Sequence, residues 1–329
     1  MLPVKLAGLG SYLPARRVTN AELEARLGIA PGWIERVAGV RERRYADGET
    51  SAGMGAAAIR AALAAAGIGI DDVDAIVGAS AAPQQGIPCT AALVQRELGA
   101  PEGRGACWDV NATCLSFLFA LQSAAHLVAA GVYGTLVIFS SEITSHSLNP
   151  RERESAVLFG DAAAAAVVTR AELGEASAIR HTRLATWSSG AEASQLLGAG
   201  TLHHPNDPAT TPEMNQFQMR GPAIFKQAAR EGGPFLDQFF ETLGWQRSDI
   251  DAVVPHQASR HAVELFTARY GFRAEQMVLN LAIRGNCIGA SIPLALAEAV
   301  ESERIRRGDR VLLVGSGAGL TLGAIALTY

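Results

Sequence analysis

The sequence predicts an α/β protein with two duplicated halves, and three observations point to this fold class. Short runs of valine, isoleucine and leucine alternate with alanine-rich stretches, which is typical of strand-helix-strand units with mostly parallel strands buried on both faces. Parts of the chain recur in the same order at nearly constant spacing. The 329 residues are 49% hydrophobic and include 34 glycines, which suits close packing between layers of helix and sheet.

The repeat consists of two pairs of similar segments. The pairs are 72–77 with 249–254, 177 positions apart, and 110–121 with 285–296, 175 positions apart. Two ordered matches at nearly one spacing favour an ancient duplication. They predict one half at residues 1–170 and a second half at residues 171–329. The alternative is that α/β proteins repeat such units without any duplication.

Individual elements are expected in order along the chain. Thr19 should cap the N-terminus of a helix that ends at Gly28. The stretch 190–214 has no periodicity and predicts a loop or a cap over a binding site, with a simple surface excursion as the alternative. Alanine-rich helices are expected at 51–66, 117–130 and 292–306, and strands at 136–140 and 311–315.

Composition argues against several classes of protein. The net charge is −4, so we expect no nucleic-acid partner. No apolar run reaches the roughly 18 residues that span a bilayer, and the N-terminus lacks the order of a signal peptide, so we expect a cytoplasmic protein without a membrane partner. The cysteines form no CxxC pair and no metal-ligand spacing with histidine, which predicts free thiols and no metal. They are Cys89, Cys107, Cys114 and Cys287.

Cys114 lies where an extended stretch leads into an apolar helix. The unpaired N–H groups and the dipole of a helix N-terminus stabilise a thiolate, and they can lower a thiol pKa from about 8.5 to 3.5–7.5. The position therefore predicts a nucleophile that reacts below the usual thiol pKa. The alternative is a small buried side chain.

Two further residues have similar settings. His256 comes just past a buried strand, where open α/β sheets keep their ligands. Asn286 stands where a second strand is expected to turn into a helix, although it could equally be a helix cap. A cysteine, a histidine and an asparagine at three strand ends together predict an acyl-transfer site.

Motifs occur in eight segments of the chain: 8–14, 19–20, 33–34, 39–43, 109–117, 155–161, 255–259 and 285–293. In this order, and over nearly the whole chain, they resemble β-ketoacyl-(acyl-carrier-protein) synthase III, a family of the thiolase superfamily. The resemblance implies a thiolase-like five-layer αβαβα fold.

The resemblance implies a decarboxylative condensation that needs no cofactor, with coenzyme A thioesters as substrates. Cys114 would take an acyl group from acyl-coenzyme A, and a malonyl thioester would lose carbon dioxide and attack that acyl group. His256 and Asn286 would hold the oxygen of the developing enolate. The backbone N–H groups of Cys114 and Ala318 would form the oxyanion hole for acyl loading.

The family's binding residues match less completely. Trp33 and Arg153 match the pair that sandwiches the adenine of coenzyme A. Lys226 and Arg260 are the docking residues expected for a carrier protein, but His261 stands where the family usually has a docking arginine. The second substrate could therefore be malonyl on coenzyme A or on an acyl carrier protein, in a fatty acid or a polyketide pathway.

The resemblance also implies a homodimer. Ile87 falls where the partner subunit contributes a residue to the acyl tunnel, and it is smaller than phenylalanine, so acyl chains longer than acetyl would fit.

Two other functions remain open from the sequence. One is a non-elongating acyltransferase of a secondary-metabolite pathway, which would pass the acyl group to an amine or alcohol. The other is a protein that binds an apolar ligand and has an incidental cysteine. A binder has no need of Cys114, His256 and Asn286 together, and release of carbon dioxide from a malonyl thioester separates the first reading from the acyltransferase.

Overall fold

The computed structural model describes residues 1–198 and 200–329. The strands are β1 Val4–Tyr12, β2 Arg16–Thr19, β3 Glu42–Tyr45, β4 Ala75–Gly78, β5 Ala106–Asp109, β6 Thr135–Glu142, β7 Ala162–Arg170, β8 Ala178–Gly190, β9 Ser194–Gln195, β10 Gln218–Met219, β11 Ala252–Pro255, β12 Arg310–Gly317 and β13 Gly319–Thr328. The helices are α1 Asn20–Leu27, α2 Trp33–Ala38, α3 Ser51–Ala66, α4 Thr90–Leu98, α5 Ser116–Ala129, α6 Arg153–Ala156, α7 Gly221–Leu243, α8 Arg260–Tyr270, α9 Leu281–Arg284 and α10 Ser291–Glu301.

Two large sheets separate three layers of helix. One sheet has the strand order β1-β7-β6-β4-β5 and the other has the order β11-β12-β13-β8. The apolar residues of α5 and α10 pack between the sheets in one cluster with inward-facing residues of both. Helices α3 and α4 cover the outer face of the first sheet, and α7 and α8 cover the outer face of the second. The molecule therefore has the five alternating layers that the resemblance implied.

The duplication is visible element by element. Short 3-10 turns at Ile70–Asp72 and Arg247–Asp249 lie 177 positions apart, and each leads into a strand, β4 or β11. Strand β4 pairs in parallel with β6, and β11 pairs in parallel with β12. The two halves are thus built on one plan, while the exact boundary between residues 170 and 171 stays a prediction.

Most local expectations are confirmed. The side chain of Thr19 accepts a hydrogen bond from the N–H of Glu22, and Gly28 ends α1 in the left-handed conformation that favours glycine. Helix α3 has the predicted bounds, whereas α10 ends at Glu301, earlier than residue 306. Within residues 190–214, the described part contains the short strand β9, a 3-10 turn that begins at Pro212 and loop segments.

The expectation of mostly parallel strands is wrong. The pair β12 and β13 is antiparallel, and β7 is antiparallel to both of its neighbours, β1 and β6. Strand β13 begins two residues after β12 ends, and a parallel return needs a crossover of a dozen or more residues. A buried antiparallel strand carries the same apolar run as a buried parallel strand, so the sequence pattern did not separate them. In the described ranges, no helix combines the length and apolar character needed to cross a membrane.

Two glycines of β1 let helix α3 lie directly on the first sheet. A Cβ atom added to Gly10 would lie 2.3 Å from the backbone nitrogen of Ala62 and 2.4 Å from the carbonyl oxygen of Ala58. A Cβ atom on Gly8 would lie 2.2 Å from the carbonyl oxygen of Ala62. Since these neighbours are helix backbone, the helix itself would have to move.

We therefore expect Gly10→Ala to destabilise the protein. The overpacking should cost about 1–3 kcal/mol, which lowers Tm by about 1–5 °C in a chain of this size. Gly86→Ala is the control, because Gly86 is exposed and a Cβ atom there would meet nothing within 4 Å. Circular dichroism during heating gives Tm for both variants. Equal Tm values for Gly10→Ala and Gly86→Ala would contradict the close approach of α3 to β1.

Candidate active site

A cavity of about 270 Å³ lies where the two halves meet. Cys114, His256 and Asn286 all line its wall, so the structure brings together the three residues that the sequence singled out. Apolar side chains from both halves form much of the remaining surface. They include Ala81, Ala82, Ile143, Leu158, Phe159, Ala193, Leu196, Phe217, Met219, Ile224, Ala258, Ile288 and Leu320.

Cys114 lies in a 3-10 turn, Thr113–Leu115, that leads directly into α5. Before the turn, the Oδ1 atom of Asn111 accepts a hydrogen bond from the N–H of Thr113 at 3.0 Å. After it, the Oγ atom of Ser116 accepts one from the N–H of Ala112 at 2.9 Å. These bonds hold Thr113 at a φ of +54° and fix the thiol at the entrance of a helix that is buried between the sheets.

The same turn recurs 175 residues later, around Asn286. Its Oδ1 atom accepts a hydrogen bond from the N–H of Ile288 at 2.9 Å, and Ser291 Oγ accepts one from the N–H of Cys287 at 3.0 Å. Ile288 has a φ of +48°, close to the value at Thr113. Because Oδ1 is held by the turn, the Nδ2 amide is the part of Asn286 available to a ligand in the cavity.

The strand expected before Asn286 is replaced by the short helix α9. Asn286 is instead fixed by two backbone hydrogen bonds to the first half. Its N–H donates to the carbonyl oxygen of Leu158 at 2.8 Å, and its carbonyl oxygen accepts from the N–H of Gly160 at 3.1 Å. A Cβ atom on Gly160 would lie 2.1 Å from the carbonyl oxygen of Arg284, so a side chain there would push these two backbone segments apart. This backbone pairing involves a single residue, Asn286, and is therefore too short to give a strand pattern in the sequence.

His256 follows β11, as predicted, and its N–H donates to the carbonyl oxygen of Val314 at 2.7 Å. The next residue, Gln257, is buried, and its Oε1 atom accepts hydrogen bonds from the N–H groups of Asn280 and Leu281, both at 2.9 Å. Gln257 therefore ties the histidine segment to the segment that leads into α9 and Asn286.

The His256 ring is uncharged in the free protein. Burial lowers the pKa of His256 to about 4, so the imidazole is neutral at neutral pH. Its Nδ1 atom is buried and has no hydrogen-bond partner in residues 1–198 and 200–329. An unpaired acceptor is less costly than an unpaired donor, so we assign the proton to Nε2. That nitrogen can donate a hydrogen bond into the cavity.

The expectation of a lowered thiol pKa at Cys114 is wrong for the unliganded protein. Burial raises the pKa of Cys114 to about 12, and the nearby carboxyl of Glu142 acts in the same direction. The backbone N–H groups of Ala318 and Cys114 and the side chain of Thr113 oppose this shift by hydrogen bonding to the sulfur. The cost of burying a charge outweighs these donors. The thiol and the imidazole are therefore both neutral, and the proton must leave sulfur as a substrate bond forms.

The other predicted binding residues lie outside the cavity wall. Trp33 begins α2 and packs on an apolar cluster that contains Val157 and Phe159. Arg153 is the first residue of α6, four positions before Val157. Arg153 is exposed.

The predicted docking residues are exposed at the ends of two outer helices. Lys226 is in the second turn of α7, and Arg260 and His261 begin α8. The rings of His261 and Phe225 stack at 5.4 Å, which joins the two helices at this point. Ile87 is 87% exposed and does not line the cavity within this chain.

Glu142 is a buried residue that the sequence analysis missed. It ends β6, and its carboxyl group accepts hydrogen bonds from the N–H groups of Ala81 at 2.7 Å, Ala82 at 3.2 Å and Gly289 at 3.2 Å. It therefore connects a cavity wall of the first half to the turn that follows Asn286. A charged residue that ends a strand of buried residues was the available signal.

The titration of Glu142 is displaced by its surroundings. Burial raises the pKa of Glu142 to about 8, and the three N–H groups oppose that shift. The carboxyl is thus mostly neutral at pH 7 and becomes charged as the pH rises through about 8.

Comparisons with known proteins agree with the geometry. The family model described as 3-oxoacyl-(acyl-carrier-protein) synthase III matches residues 108–187, and its C-terminal counterpart matches residues 240–329. The β-ketoacyl-(acyl-carrier-protein) synthase III of Rhodospirillum centenum is 38% identical over 98% of both chains, and that of Rhizobium meliloti is 36% identical over the whole of both.

Solved structures are similar throughout. The 3-oxoacyl-(acyl-carrier-protein) synthase III of Aquifex aeolicus superposes with a TM-score of 0.89 at 32% identity, over 99% of this chain and 100% of that one. The synthase III of Thermus thermophilus gives 0.87 at 35% identity, over 98% of both.

Glu142 should control the reactivity of Cys114 above about pH 8. Once ionised, the carboxylate raises the pKa of the nearby thiol, and Glu142→Gln removes that effect. We expect the ratio of iodoacetamide alkylation rates at Cys114, variant over wild type, to be constant below pH 7 and to rise about fivefold between pH 7 and 9.

Peptide mapping restricts the measurement to Cys114. Glu154→Gln, an exposed residue on α6, is the matched control and should give a ratio near one throughout. A ratio for Glu142→Gln that stays constant from pH 6.5 to 9.5 would contradict the electrostatic coupling.

Proposed function

Because the chain belongs to the 3-oxoacyl-(acyl-carrier-protein) synthase III family of condensing enzymes, we propose that Cys114 takes an acyl group from coenzyme A and passes it to a malonyl thioester. The observation that supports this most is the shared cavity, which places one thiol, one neutral imidazole and one free amide in a single enclosed space. By class the enzyme would be an acyltransferase that extends the acyl chain by two carbons. Coenzyme A is a substrate in this reaction, and no step requires a further cofactor.

The first half-reaction loads the acyl group. The Cys114 sulfur attacks the carbonyl carbon of the acyl-coenzyme A thioester, and the negative oxygen that forms accepts hydrogen bonds from the N–H groups of Cys114 and Ala318. The tetrahedral intermediate then expels the coenzyme A sulfur. That sulfur takes up the proton that the neutral Cys114 thiol loses, so free coenzyme A leaves and a thioester remains on Cys114.

The second half-reaction forms the carbon–carbon bond. The bond between the malonyl α-carbon and its carboxylate breaks, carbon dioxide leaves, and the electron pair passes into an enolate of the thioester. The Nε2–H group of His256 and the Nδ2 amide of Asn286 would donate to the enolate oxygen. The α-carbon then attacks the acyl carbonyl, the Cys114 thiolate departs, and one proton from solvent restores the thiol.

A neutral His256 suits this role. Two uncharged donors stabilise charge that develops on one oxygen without first needing a proton, and exclusion of water strengthens both hydrogen bonds. A protonated imidazole would pair with the malonyl carboxylate in the ground state and oppose its loss as uncharged carbon dioxide. The pKa of about 4 keeps the ring neutral over the working range.

The family resemblance also supports roles for residues outside the cavity in binding coenzyme A, a carrier protein and a second subunit. Trp33 and Arg153 would bind the adenine of coenzyme A, and Lys226 with Arg260 would meet an acidic carrier protein. In a homodimer, Ile87 of each subunit would lie at the acyl end of the active-site cavity in the other subunit. Strand β5 is an edge of its sheet and is only partly buried, which leaves it free to pair with a second copy.

The two half-reactions should respond differently to the two donors. We expect His256→Ala and Asn286→Ala each to slow carbon dioxide release from malonyl-coenzyme A by about 10²–10³. Acyl loading of Cys114 should fall less than tenfold, because neither donor acts on the first substrate. Radiolabelled carbon dioxide and intact mass measure the two steps separately, with His126→Ala, an exposed histidine, as the control.

Equal losses in both half-reactions would show instead that His256 activates the thiol as a general base. Loading without any carbon dioxide release in the wild type would favour transfer of the acyl group to an amine or alcohol.

The docking surface yields a separate prediction, because His261 replaces a family arginine. Arginine carries a permanent charge, whereas histidine is mostly neutral at neutral pH. We expect His261→Arg to raise kcat/KM for malonyl on an acidic acyl carrier protein severalfold at low salt, to raise it less at high salt, and to leave malonyl-coenzyme A unaffected. If the wild type already prefers the carrier strongly and the variant changes nothing, Lys226 or Arg260 supplies the docking charge.

A further inference from the structure

A second cavity, which the proposed reaction does not use, lies between α7 and α8. It has a volume of about 120 Å³ and is lined mainly by apolar and aromatic side chains. We call this cavity the side chamber. Its far end, away from the main cavity, is lined by six residues of the two helices: Phe225, Ala229, Leu236, Ala262, Phe266 and Tyr270. The hydroxyl of Tyr270 is already turned to a backbone carbonyl, that of Ala228, at 3.4 Å. The far end therefore offers contact area and little polar chemistry.

The near end of this side chamber is a wall of the main cavity. His256, Ala258 and Ser316 line both spaces. Ser316 lies near the end of β12 and has a small side chain, and the following residues carry the N–H group of Ala318 toward Cys114. A Cβ atom on Gly315 would lie 2.5 Å from the Cβ atom of His256, so the glycine lets the histidine backbone lie close to β12. The two spaces thus meet beside the His256 ring.

The side chamber is the wrong place for two of the groups that enter the site. Cys114 lines the main cavity and is not among the described residues around the side chamber, so an acyl chain on its sulfur extends elsewhere. The pantetheine arm carries polar amides, which an apolar chamber leaves without partners. What remains is an apolar group attached close to the oxygen that His256 would hold.

We infer that the side chamber binds an apolar substituent on the α-carbon of the second substrate, so that the enzyme accepts α-alkylmalonyl thioesters. The inference rests on the proposed function. In that reaction the α-carbon is bonded to the thioester carbon whose oxygen His256 holds, and a substituent on it therefore begins beside the near end of the chamber. An apolar cavity of about 150 Å³ accommodates a molecule the size of benzene, so a chain of roughly four carbons fits here.

The chemistry is the same as with malonyl itself. The bond between the substituted α-carbon and the carboxylate breaks, carbon dioxide leaves, and the electron pair of that bond passes into the enolate of the thioester. That carbon attacks the acyl group on Cys114, and the product is a 2-alkyl-3-oxoacyl thioester. The thiolate departs and takes a proton from solvent, as before.

The test compares extender substrates after loading with acetyl-coenzyme A. We expect wild-type kcat/KM for ethylmalonyl- and butylmalonyl-coenzyme A to lie within about tenfold of the value for malonyl-coenzyme A. Ala229→Leu fills the far end of the chamber, and it should lower kcat/KM for butylmalonyl-coenzyme A by more than about tenfold, since each buried methylene contributes roughly 0.8 kcal/mol. The value for malonyl-coenzyme A should change less than twofold.

Two further variants keep the outcome interpretable. Ala229→Val adds less volume and should give an intermediate loss with the butyl substrate. Ala223→Leu, on the exposed side of the same helix, should change no substrate. Unchanged Tm values for all three variants would show that each folds.

The outcomes separate the inference from its premise. A wild type that condenses malonyl-coenzyme A and rejects every alkylmalonyl substrate would overturn the inference and leave the proposed function intact. Equal losses for malonyl and butylmalonyl substrates in Ala229→Leu would also overturn it. A wild type that releases no carbon dioxide from any extender would overturn both.

Discussion

The burial of α5 and α10 side by side between the two sheets positions two of the three candidate catalytic side chains, those of Cys114 and Asn286. Each helix begins in the same 3-10 turn, in which an asparagine and a serine side chain hold the backbone. Because the helices are fixed by one shared apolar cluster, their N-terminal ends open on the same cavity. One copy of the turn presents the Cys114 thiol, and the other presents the Asn286 amide. Duplication therefore produced two different functional groups from one local structure.

The enclosed site also decides the charge states of its residues. Burial opposes charge, so the thiol of Cys114, the imidazole of His256 and the carboxyl of Glu142 are all neutral at neutral pH, with their pKa values displaced to about 12, 4 and 8. A resting thiolate-imidazolium pair is thus absent, and charge appears only when a substrate brings it. Donors that are already in place, at Ala318 and at Asn286, then stabilise that charge without rearrangement.

Much of this arrangement could be predicted from the sequence because its signals were local. His256 follows a strand with a clear apolar run, Cys114 precedes a clearly apolar helix, and the repeat near Asn286 preserved the asparagine and serine of the turn. The pKa of Cys114 was not predictable, because burial by the second half of the chain outweighs the local helix N-terminus. Glu142 was missed for a similar reason: its three partners come from two distant segments, and a single acidic residue in a strand does not reveal them. The antiparallel strand β13 was hidden by a composition that parallel strands share.

The central claim is that Cys114 alone carries the acyl group, and peptide mapping after incubation with acyl-coenzyme A thioesters tests it most directly. A panel of thioesters with different chain lengths, read first by intact mass, also shows which acyl groups load. The account predicts one acyl group per chain, located on Cys114, and none on Cys114→Ala. An acyl group on Cys89, Cys107 or Cys287, with Cys114→Ala loading as fast as the wild type, would contradict it.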